Sequence, residues 1–314
     1  MIRTSICELL NIKYPIFQGG MAWIADGKLA GAVSAAGGLG IIAAMNAGTD
    51  YLREQINIAR KITDKPFGVN IMLMSPHADE ISDIVIEEKI PVVVTGAGNP
   101  AKYMKKWIGA GIKVIPVVAS VALAKLVERA GACAVVAEGG ESGGHVGDLT
   151  TMSLVPQVCD AVNVPVIAAG GIADGRGVCA SLMLGAQGVQ LGTRFLVAKE
   201  CSVHQVYKDK IIKATDISTI VTGKRLGHPV RSLKTAFSKE YYKAEYSDIS
   251  NDDLEAMAVG TLRLAAIEGD EKRGCFLAGQ IAGMVDKEQS AAEIINEIFE
   301  EAEIVLNGAK NLIK

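Results

Sequence analysis

Short, continuously apolar runs recur eight times in the first two thirds of the chain, each followed by a segment with helical spacing. They begin at Pro15, Gly38, Pro66, Pro91, Lys113, Cys133, Pro165 and Gly188. Intervening segments such as DYLREQINIARKI and SVALAKLVERAG place apolar residues three and four positions apart, as amphipathic helices do. Runs without polar alternation predict strands buried on both faces, as in a parallel sheet covered by helices. The pattern therefore predicts an α/β protein.

The count of eight favours a closed (β/α)8 barrel, the TIM barrel, over an open doubly wound sheet. An open sheet that binds a dinucleotide would carry G-x-G-x-x-G after its first strand, and the sequence QGGMAW at that place does not match. A chain of 314 residues can hold such a barrel and a smaller additional domain.

The β/α pattern stops after Phe195, which indicates a change of architecture. The segment NDDLEAMAVGTLRLAAIEG predicts one amphipathic helix that begins at Asn251 or Asp252, and a long charged helix begins near Ser290. We therefore assign residues 1–199 and 278–314 to the barrel. Residues 200–277 are assigned to a smaller helical domain over the barrel mouth, on the substrate side, inserted before the last barrel helix.

Charge and cysteine content exclude several classes of function. The net charge of -3 gives no general attraction to nucleic acid or to an anionic membrane. Six scattered cysteines lack metal-ligand spacing and indicate a reducing compartment, so we expect a soluble cytoplasmic protein without a metal site. The uncharged run at 29–49 is long enough to span a bilayer, but the glycines at 37 and 38 divide it into a helix and a strand.

Glycines at the ends of the last two predicted strands suggest a phosphate site. Gly170 and Gly171 follow the seventh strand, and Gly192 and Thr193 follow the eighth. Loops at these two positions bind phosphate in many barrels, because backbone N–H groups can approach it there. The simpler alternative is that the glycines only make tight turns, with Asp174 capping the next helix.

Residues at the other strand ends favour a flavin over a phosphosugar. Gly19, Gly20 and Met21 follow the first strand, Asn70 the third and Glu138 the sixth. They supply amide and carboxyl groups that suit a planar ring with alternating donors and acceptors. A phosphosugar isomerase would show a lysine at a strand end, and none stands out. A flavin-free phosphosugar lyase or a binding module on the same barrel remains the alternative of another class.

His145 is the candidate for acid–base chemistry. It lies in the loop EGGESGGHVGDLTT after the sixth strand, where glycines leave the backbone free to place an imidazole over the barrel mouth. Imidazole exchanges protons near neutral pH. The alternative is an ordinary exposed loop histidine. His228, in RLGHPVR, is a candidate for holding a substrate.

Six segments together carry a family resemblance: GGMAW, GVNIM, AEGGESGGH, AAGGIADG, QLGTRF and AGQIAG. With them the chain resembles, over essentially its whole length, the FMN-dependent enoyl-acyl-carrier-protein reductases of bacterial type II fatty acid synthesis, in the superfamily that also holds nitronate monooxygenases. The resemblance implies that FMN contacts Gly19, Gly20, Met21, Asn70, Glu138, Gly143, Gly170, Gly171, Gln190, Gly192 and Thr193. Many nitronate monooxygenases have Gln at the position of Glu138, which favours the reductase.

The resemblance also implies a reaction. NADH or NADPH reduces the flavin, the flavin reduces an enoyl thioester on an acyl carrier protein, and His145 protonates the α-carbon. A nitronate monooxygenase that uses FMN and O2, with His145 as a base or an anion anchor, is the alternative. Members of this kind also use a monovalent cation and form homodimers.

Residues 199–243 hold ten Lys and Arg against four Asp and Glu. This basic stretch would attract an acidic carrier protein. The alternative is an ordinary solvated helical face.

Overall fold

The structure, a computed structural model, describes residues 1–44 and 48–312. Its strands are β1 Ile16–Gln18, β2 Ile41–Ala44, β3 Gly68–Met72, β4 Val92–Gly96, β5 Lys113–Val118, β6 Val135–Glu138, β7 Gly144–His145, β8 Val166–Ala169, β9 Gly188–Leu191, β10 Thr219–Thr222 and β11 Val230–Leu233. Eight of them form a parallel sheet in the order β1-β9-β8-β6-β5-β4-β3-β2. A further bridge joins Phe17 to Leu39, just before β2, so the sheet closes. The predicted barrel and its eight strands are confirmed.

The closing seam between β1 and β2 depends on a side chain. Gln18 is fully buried, and its carboxamide donates to the carbonyl oxygen of Ile41 at 3.2 Å and accepts from the Ile41 N–H at 3.2 Å. Backbone hydrogen bonds between Gln18 and Leu39, and between Leu39 and Ile16, hold the neighbouring stretch. The Gln18 carboxamide thus replaces a missing pair of main-chain partners, as buried peptide groups require.

Helices surround the barrel. Those of the barrel are α1 Ser5–Leu10, α2 Gly27–Ala35, α3 Gly48–Ile62, α4 Ala78–Glu87, α5 Ala101–Gly109, α6 Val121–Arg129, α7 Thr151–Cys159, α8 Gly175–Met183 and α9 Thr193–Leu196. The apolar core has two parts, one between strands and helices and one inside the barrel. Ile6 and Leu10 of α1 belong to the inner part and close its lower end. The open end of the barrel is therefore the carboxyl end of the strands.

The uncharged run at 29–49 divides as expected within its described residues. Helix α2 ends at Ala35, Gly37 has a positive φ of 97°, and β2 begins at Ile41. None of the described helices combines the length and the apolar character that a membrane span needs.

The segment 200–277 contains α10 Gln205–Ile212, α11 Ala236–Glu245, α12 Asn251–Ala258, α13 Thr261–Arg263 and a π-helical turn Leu264–Glu268. It also contains β10 and β11, an antiparallel hairpin that the sequence analysis did not predict. The single helix predicted from Asn251 is wrong, because Gly260 adopts a left-handed φ of 74° and separates α12 from α13. The cap of α12 is Ser250, one residue before the predicted start.

The chain then returns to the barrel. A short 3-10 turn Gln280–Met284 leads to α14 Ala291–Ala309, followed by a final turn Lys310–Leu312. Helix α14 packs between α8 and α2, and so completes the ring of helices. This confirms the long helix predicted from Ser290.

Candidate active site

The ends of β1, β3 and β9 meet at one side of the barrel mouth. A Cβ atom added to Gly20 would overlap the Cβ of Asn70 and lie 2.6 Å from its Cγ. One added to Gly19 would lie 3.3 Å from the side chain of Gln190, and one added to Gly192 3.5 Å from Met21 Sδ. The structure therefore brings together six of the residues expected to contact a cofactor, and the glycines allow their close approach.

Gln190 carries an unsatisfied polar atom in this region. The side chain is 7% exposed, and its Oε1 is buried without a hydrogen-bond partner among the described residues. A buried amide oxygen without a partner costs about 1–3 kcal/mol. An acceptor held in this way beside the mouth is suited to a ligand that donates a hydrogen bond.

The predicted phosphate loops lie at the ends of neighbouring strands β8 and β9. Gly170 and Gly171 have positive φ values of 88° and 74°, and a Cβ on Gly170 would lie 2.6 Å from the carbonyl oxygen of Gly139. Thr193 is buried, and its hydroxyl oxygen accepts from the Gly279 N–H at 2.9 Å. The Thr193 hydroxyl proton is thus left to donate to a ligand.

Helix α8 uses its first turn for protein carboxylates. Asp174 accepts from the Gly177 N–H at 3.0 Å, as the simpler sequence interpretation expected. Glu301 of α14 accepts from the Gly175 N–H at 2.7 Å. Two N–H groups of the first turn of α8 are therefore already bound by protein carboxylates, and the glycine loops themselves are the remaining candidates for a phosphate.

Glu138 ends β6 and faces the mouth. Burial raises the pKa of its carboxyl to about 7, opposed by the hydroxyl of Ser142, which donates to Glu138 Oε1 at 3.4 Å. A carboxyl with this pKa is a hydrogen-bond donor in part of the molecules at neutral pH. It is thus able to pair with an acceptor as well as with a donor on a ligand.

His145 is held beside the mouth by residues of the segment 200–277. The loop after β6 forms β7, which pairs antiparallel with β11, and His145 stands opposite Val230. The His145 side chain is exposed. Neighbouring protein atoms nevertheless lower its pKa by desolvation, and His228 lowers it further by charge repulsion. The structure therefore brings the two histidines that the sequence analysis singled out close together.

Two clefts border the described residues at opposite ends of the barrel. One of about 470 Å³ lies before β3 and β4, at the end of the barrel away from the candidate residues. One of about 660 Å³ lies between the loop after β6 and the β10–β11 hairpin, and Val146, Lys224 and Arg231 contribute to its walls. The second cleft is the relevant one, because its walls include the chain directly after His145.

Comparisons with known proteins assign this chain to a family. The nitronate monooxygenase family model matches residues 3–84 and 82–301. The chain belongs to the nitronate monooxygenase family.

FabK from Thermotoga maritima is 51% identical over the whole of both chains, with a TM-score of 0.96. A probable nitronate monooxygenase of Staphylococcus saprophyticus is 34% identical, with 98% of this chain and 99% of that protein covered. A (3aS,4S,5R,7aS)-5-hydroxy-7a-methyl-1-oxo-octahydro-1H-indene-4-carboxyl-CoA dehydrogenase of Rhodococcus jostii is 33% identical, with 96% of each covered. The chain is an oxidoreductase of this family.

For this family member, the strand-end residues fit the FMN that the sequence analysis expected. The glycines at 20 and 170 leave space that a side chain would fill, Gln190 Oε1 lacks a partner, and Thr193 retains a hydroxyl proton. A flat ring needs open space and hydrogen-bonding partners, and a phosphate needs hydrogen-bond donors. Gly143 lies against the backbone of Ala278, where an added Cβ would be 2.6 Å from the carbonyl carbon.

Sequence reasoning missed several residues that organise the site. Glu141 accepts from the Thr151 N–H at 2.9 Å and from its hydroxyl, which joins the loop after β6 to α7. Gln18 directly precedes the candidate flavin contacts that follow β1, but its carboxamide binds the main chain of Ile41. Arg231 was counted only as one positive charge.

Proposed function

We propose that this chain is an FMN-dependent enoyl-acyl-carrier-protein reductase that uses NADH or NADPH. The observation that carries the proposal is the 51% identity to FabK over the full length of both chains. Glu138 at the end of β6 is consistent with it, because many nitronate monooxygenases have Gln at that position.

FMN held at the barrel mouth would supply hydride transfer from the nicotinamide to the β-carbon of the enoyl thioester. The glycine loops at Gly170–Gly171 and Gly192–Thr193 would bind its phosphate, and Gln190 and Glu138 would hydrogen-bond its ring. The remaining candidate contacts, Gly19, Gly20, Met21, Asn70 and Gly143, would provide close backbone and side-chain contact. Each role is a proposal from position and chemistry.

His145 would supply the proton for the α-carbon of the substrate. Its lowered pKa makes the imidazolium a stronger acid than free histidine, which suits transfer to a developing enolate. The ladder between β7 and β11 would orient the ring over the mouth, and the cleft behind Val146 would admit the thioester.

Two half-reactions test the proposal. We expect the purified protein to be yellow, to be reduced anaerobically by NADH or NADPH, and to be reoxidised by a crotonyl thioester. In His145→Ala we expect reduction to remain within about twofold and thioester reoxidation to fall about 100-fold or more, as for loss of a general acid. Reoxidation of His145→Ala at the normal rate would remove the assigned role. A colourless protein that does not take up FMN would support a flavin-free function.

A nitronate monooxygenase is the second candidate, because a probable enzyme of that activity is 34% identical over nearly the whole chain. In that reaction His145 would act as a base or would bind the nitronate anion. Oxygen consumption with an alkyl nitronate, without thioester-dependent oxidation of NADH or NADPH, would favour it.

The partner we propose is an acyl carrier protein, which is acidic. Three lysines of the basic stretch are paired internally: Lys199 with Glu293, Lys208 with Glu288 and Lys210 with Glu271. Within the described residues Lys239 and Lys243 form no ion pair, and both are exposed on one side of α11. Lys213, Lys224 and Lys234 are likewise exposed and form no ion pair among the described residues, so five lysines of the basic stretch remain to attract a carrier. Lys239 and Lys243 are the two that lie together on one helix.

A further inference from the structure

We infer that Arg231 is a positioning residue, which holds the loop after β6 so that His145 stays over the barrel mouth. The catalytic consequence of this inference rests on the proposed reductase function, whereas the geometric claim does not. Arg231 contacts the loop backbone and acts on the reaction through it.

Arg231 binds the loop at two points. Its backbone pairs with Gly144 in the β11–β7 ladder, next to the pairing of Val230 with His145. Its guanidinium reaches back to the carbonyl oxygen of Gly140, which accepts from Nη2 at 2.9 Å and from Nε at 3.3 Å. One residue therefore fixes both ends of the stretch that leads into His145.

The loop has a physical need for such an anchor. Residues 139, 140, 143 and 144 are glycines, and Gly144 has a positive φ of 81°. Glycine loses more backbone entropy on ordering than any other residue, so a stretch with four of them is held only by the contacts that its neighbours supply.

The loop has other contacts as well, including one at Gly140, whose N–H donates to the Leu149 carbonyl oxygen at 2.8 Å. The carboxylate of Glu141 binds Thr151, and the Glu141 carbonyl oxygen accepts from the Gln280 N–H at 2.9 Å, so the middle is fixed to the barrel. On the far side of His145, the Val146 N–H donates to the Pro229 carbonyl oxygen at 3.0 Å. Arg231 is thus the side chain that joins the start of the loop to the strand that holds His145.

The charge of Arg231 is used for this contact and not for an ion pair. In the described part of the chain its hydrogen bonds go to neutral oxygens, those of Gly140 and, from Nη1 at 3.2 Å, of Thr219 Oγ1. Burial lowers the pKa of the guanidinium, and nearby Glu141 opposes that effect. A half-buried cation without a hydrogen-bonded carboxylate is costly, which indicates a specific requirement for its fork of donors.

A consequence is that the β10–β11 hairpin and His145 form one unit. Two hairpin residues, Thr219 on β10 and Arg231 on β11, are joined to Gly140 through one guanidinium. A displacement of the hairpin would therefore move the imidazole as well. Loss of the guanidinium would leave the short β7 ladder and the Val146–Pro229 hydrogen bond as the links between His145 and the hairpin.

The primary experiment reads His145 directly by NMR. The chain has four histidines, so ring Cε1–H signals of the FMN-loaded protein can be assigned with His145→Gln. In Arg231→Ala we expect the His145 signal to broaden or split, and its pKa to rise toward the ordinary value of 6.5 as the ring becomes more exposed. An unchanged His145 signal and titration in folded Arg231→Ala would overturn the inference.

Arg225→Ala is the matched control. Arg225 also donates to backbone carbonyls, those of Glu245, Ser247 and Ile249, and it does so away from the loop after β6. We expect its variant to leave the His145 signal in place. Arg231→Lys retains the charge without the fork, and it serves if the alanine variant does not fold; an intermediate His145 titration is expected, and a wild-type one would count against the fork.

The kinetic arm separates this inference from the proposed function. We expect Arg231→Ala to keep reduction by NADH or NADPH within about twofold, and to lose about 10- to 100-fold in the rate of reoxidation by crotonyl thioester, with KM little changed. Arg231→Lys should recover part of that rate. If the wild-type protein does not reduce enoyl thioesters, the proposed function fails, while the NMR result still decides the role of Arg231.

Discussion

Glu138 places an ionisable group where the barrel excludes most of the water. Its ordinary pKa is 4.5, and burial raises it to about 7 in the folded protein. Between these two values the folded state keeps a proton that the unfolded state releases. The free energy of unfolding therefore falls as the pH rises through this window, which is the reverse of the effect of a salt-bridged carboxylate.

Glu138→Gln should remove this pH dependence, because the amide does not ionise. We expect the variant, freed of flavin, to be more stable than the wild-type protein by about 1–3 kcal/mol at pH 8 and nearly equal to it at pH 4.5. Urea unfolding at the two pH values measures the difference. The exposed Glu87→Gln serves as a control, and a constant difference between Glu138→Gln and wild type at both pH values would contradict the assignment.

Strand ends form the site, and some of their glycines lie where residues of other strands approach closely. At Gly20 the neighbour is Asn70 of β3, which leaves no room for a methyl group. The lack of a side chain at Gly20 thus allows the turn after β1 to approach Asn70 of β3 closely across the mouth.

Gly20→Ala should push Asn70 and the turn after β1 apart. Overpacking of this kind costs about 1–3 kcal/mol, so we expect FMN affinity to fall about 10- to 100-fold while the far-ultraviolet circular dichroism stays unchanged. Quenching of flavin fluorescence gives the dissociation constant. Gly109→Ala, at the end of α5 with open space around it, should bind FMN normally; equal affinity in both variants would show that Gly20 is not near the ring.

Elements differed in how well the sequence predicted them, and the reason is physical. The barrel strands were found because burial on both faces removes polar residues from them. The β10–β11 hairpin was missed because TIVT and VRSL are only half apolar and partly exposed. The third strand of the sheet that contains this hairpin, β7, has two residues and lies more than 70 positions away in the chain. Long-range pairings of this length leave no local pattern.

The side chains of the site also differ in how well the sequence predicted them. The positions of the glycines, of Glu138 and of His145 could be predicted, because each follows a recognisable strand. The roles of Gln18 and Arg231 could not, since a carboxamide and a guanidinium give no sign in the sequence of which carbonyl oxygen they reach.

At the scale of the molecule, the question is where an acidic partner would approach. Internal ion pairs use much of the basic stretch, and Arg225 and Arg231 bind backbone carbonyls. The attraction therefore depends on fewer charges than the composition indicated, namely the exposed lysines that form no ion pair among the described residues. Lys239 and Lys243 are two of them and lie together on α11.

The double variant Lys239→Glu, Lys243→Glu should weaken use of a carrier-bound substrate. We expect KM for crotonyl-acyl-carrier protein to rise about 5- to 10-fold and its dependence on salt to flatten. The neutral crotonyl-N-acetylcysteamine should show unchanged kcat/KM. Lys105→Glu with Lys125→Glu, on α5 and α6, makes the same change of net charge elsewhere and controls for it; equal effects of both pairs would exclude docking at α11.

The seam of the barrel at Gln18 has an implication for how this ring tolerates substitution. At most places the circle of strands is joined by main-chain N–H and C=O groups, which every amino acid except proline carries, so few mutations remove the joint. Between β1 and β2 the joint includes a carboxamide that must reach Ile41 and both donate and accept there. Glutamate, methionine or the shorter asparagine each lacks one of those properties. Closure of the barrel between β1 and β2 therefore depends in part on which side chain stands at position 18, whereas the hydrogen bonds of Leu39 in the same seam are made by main-chain groups.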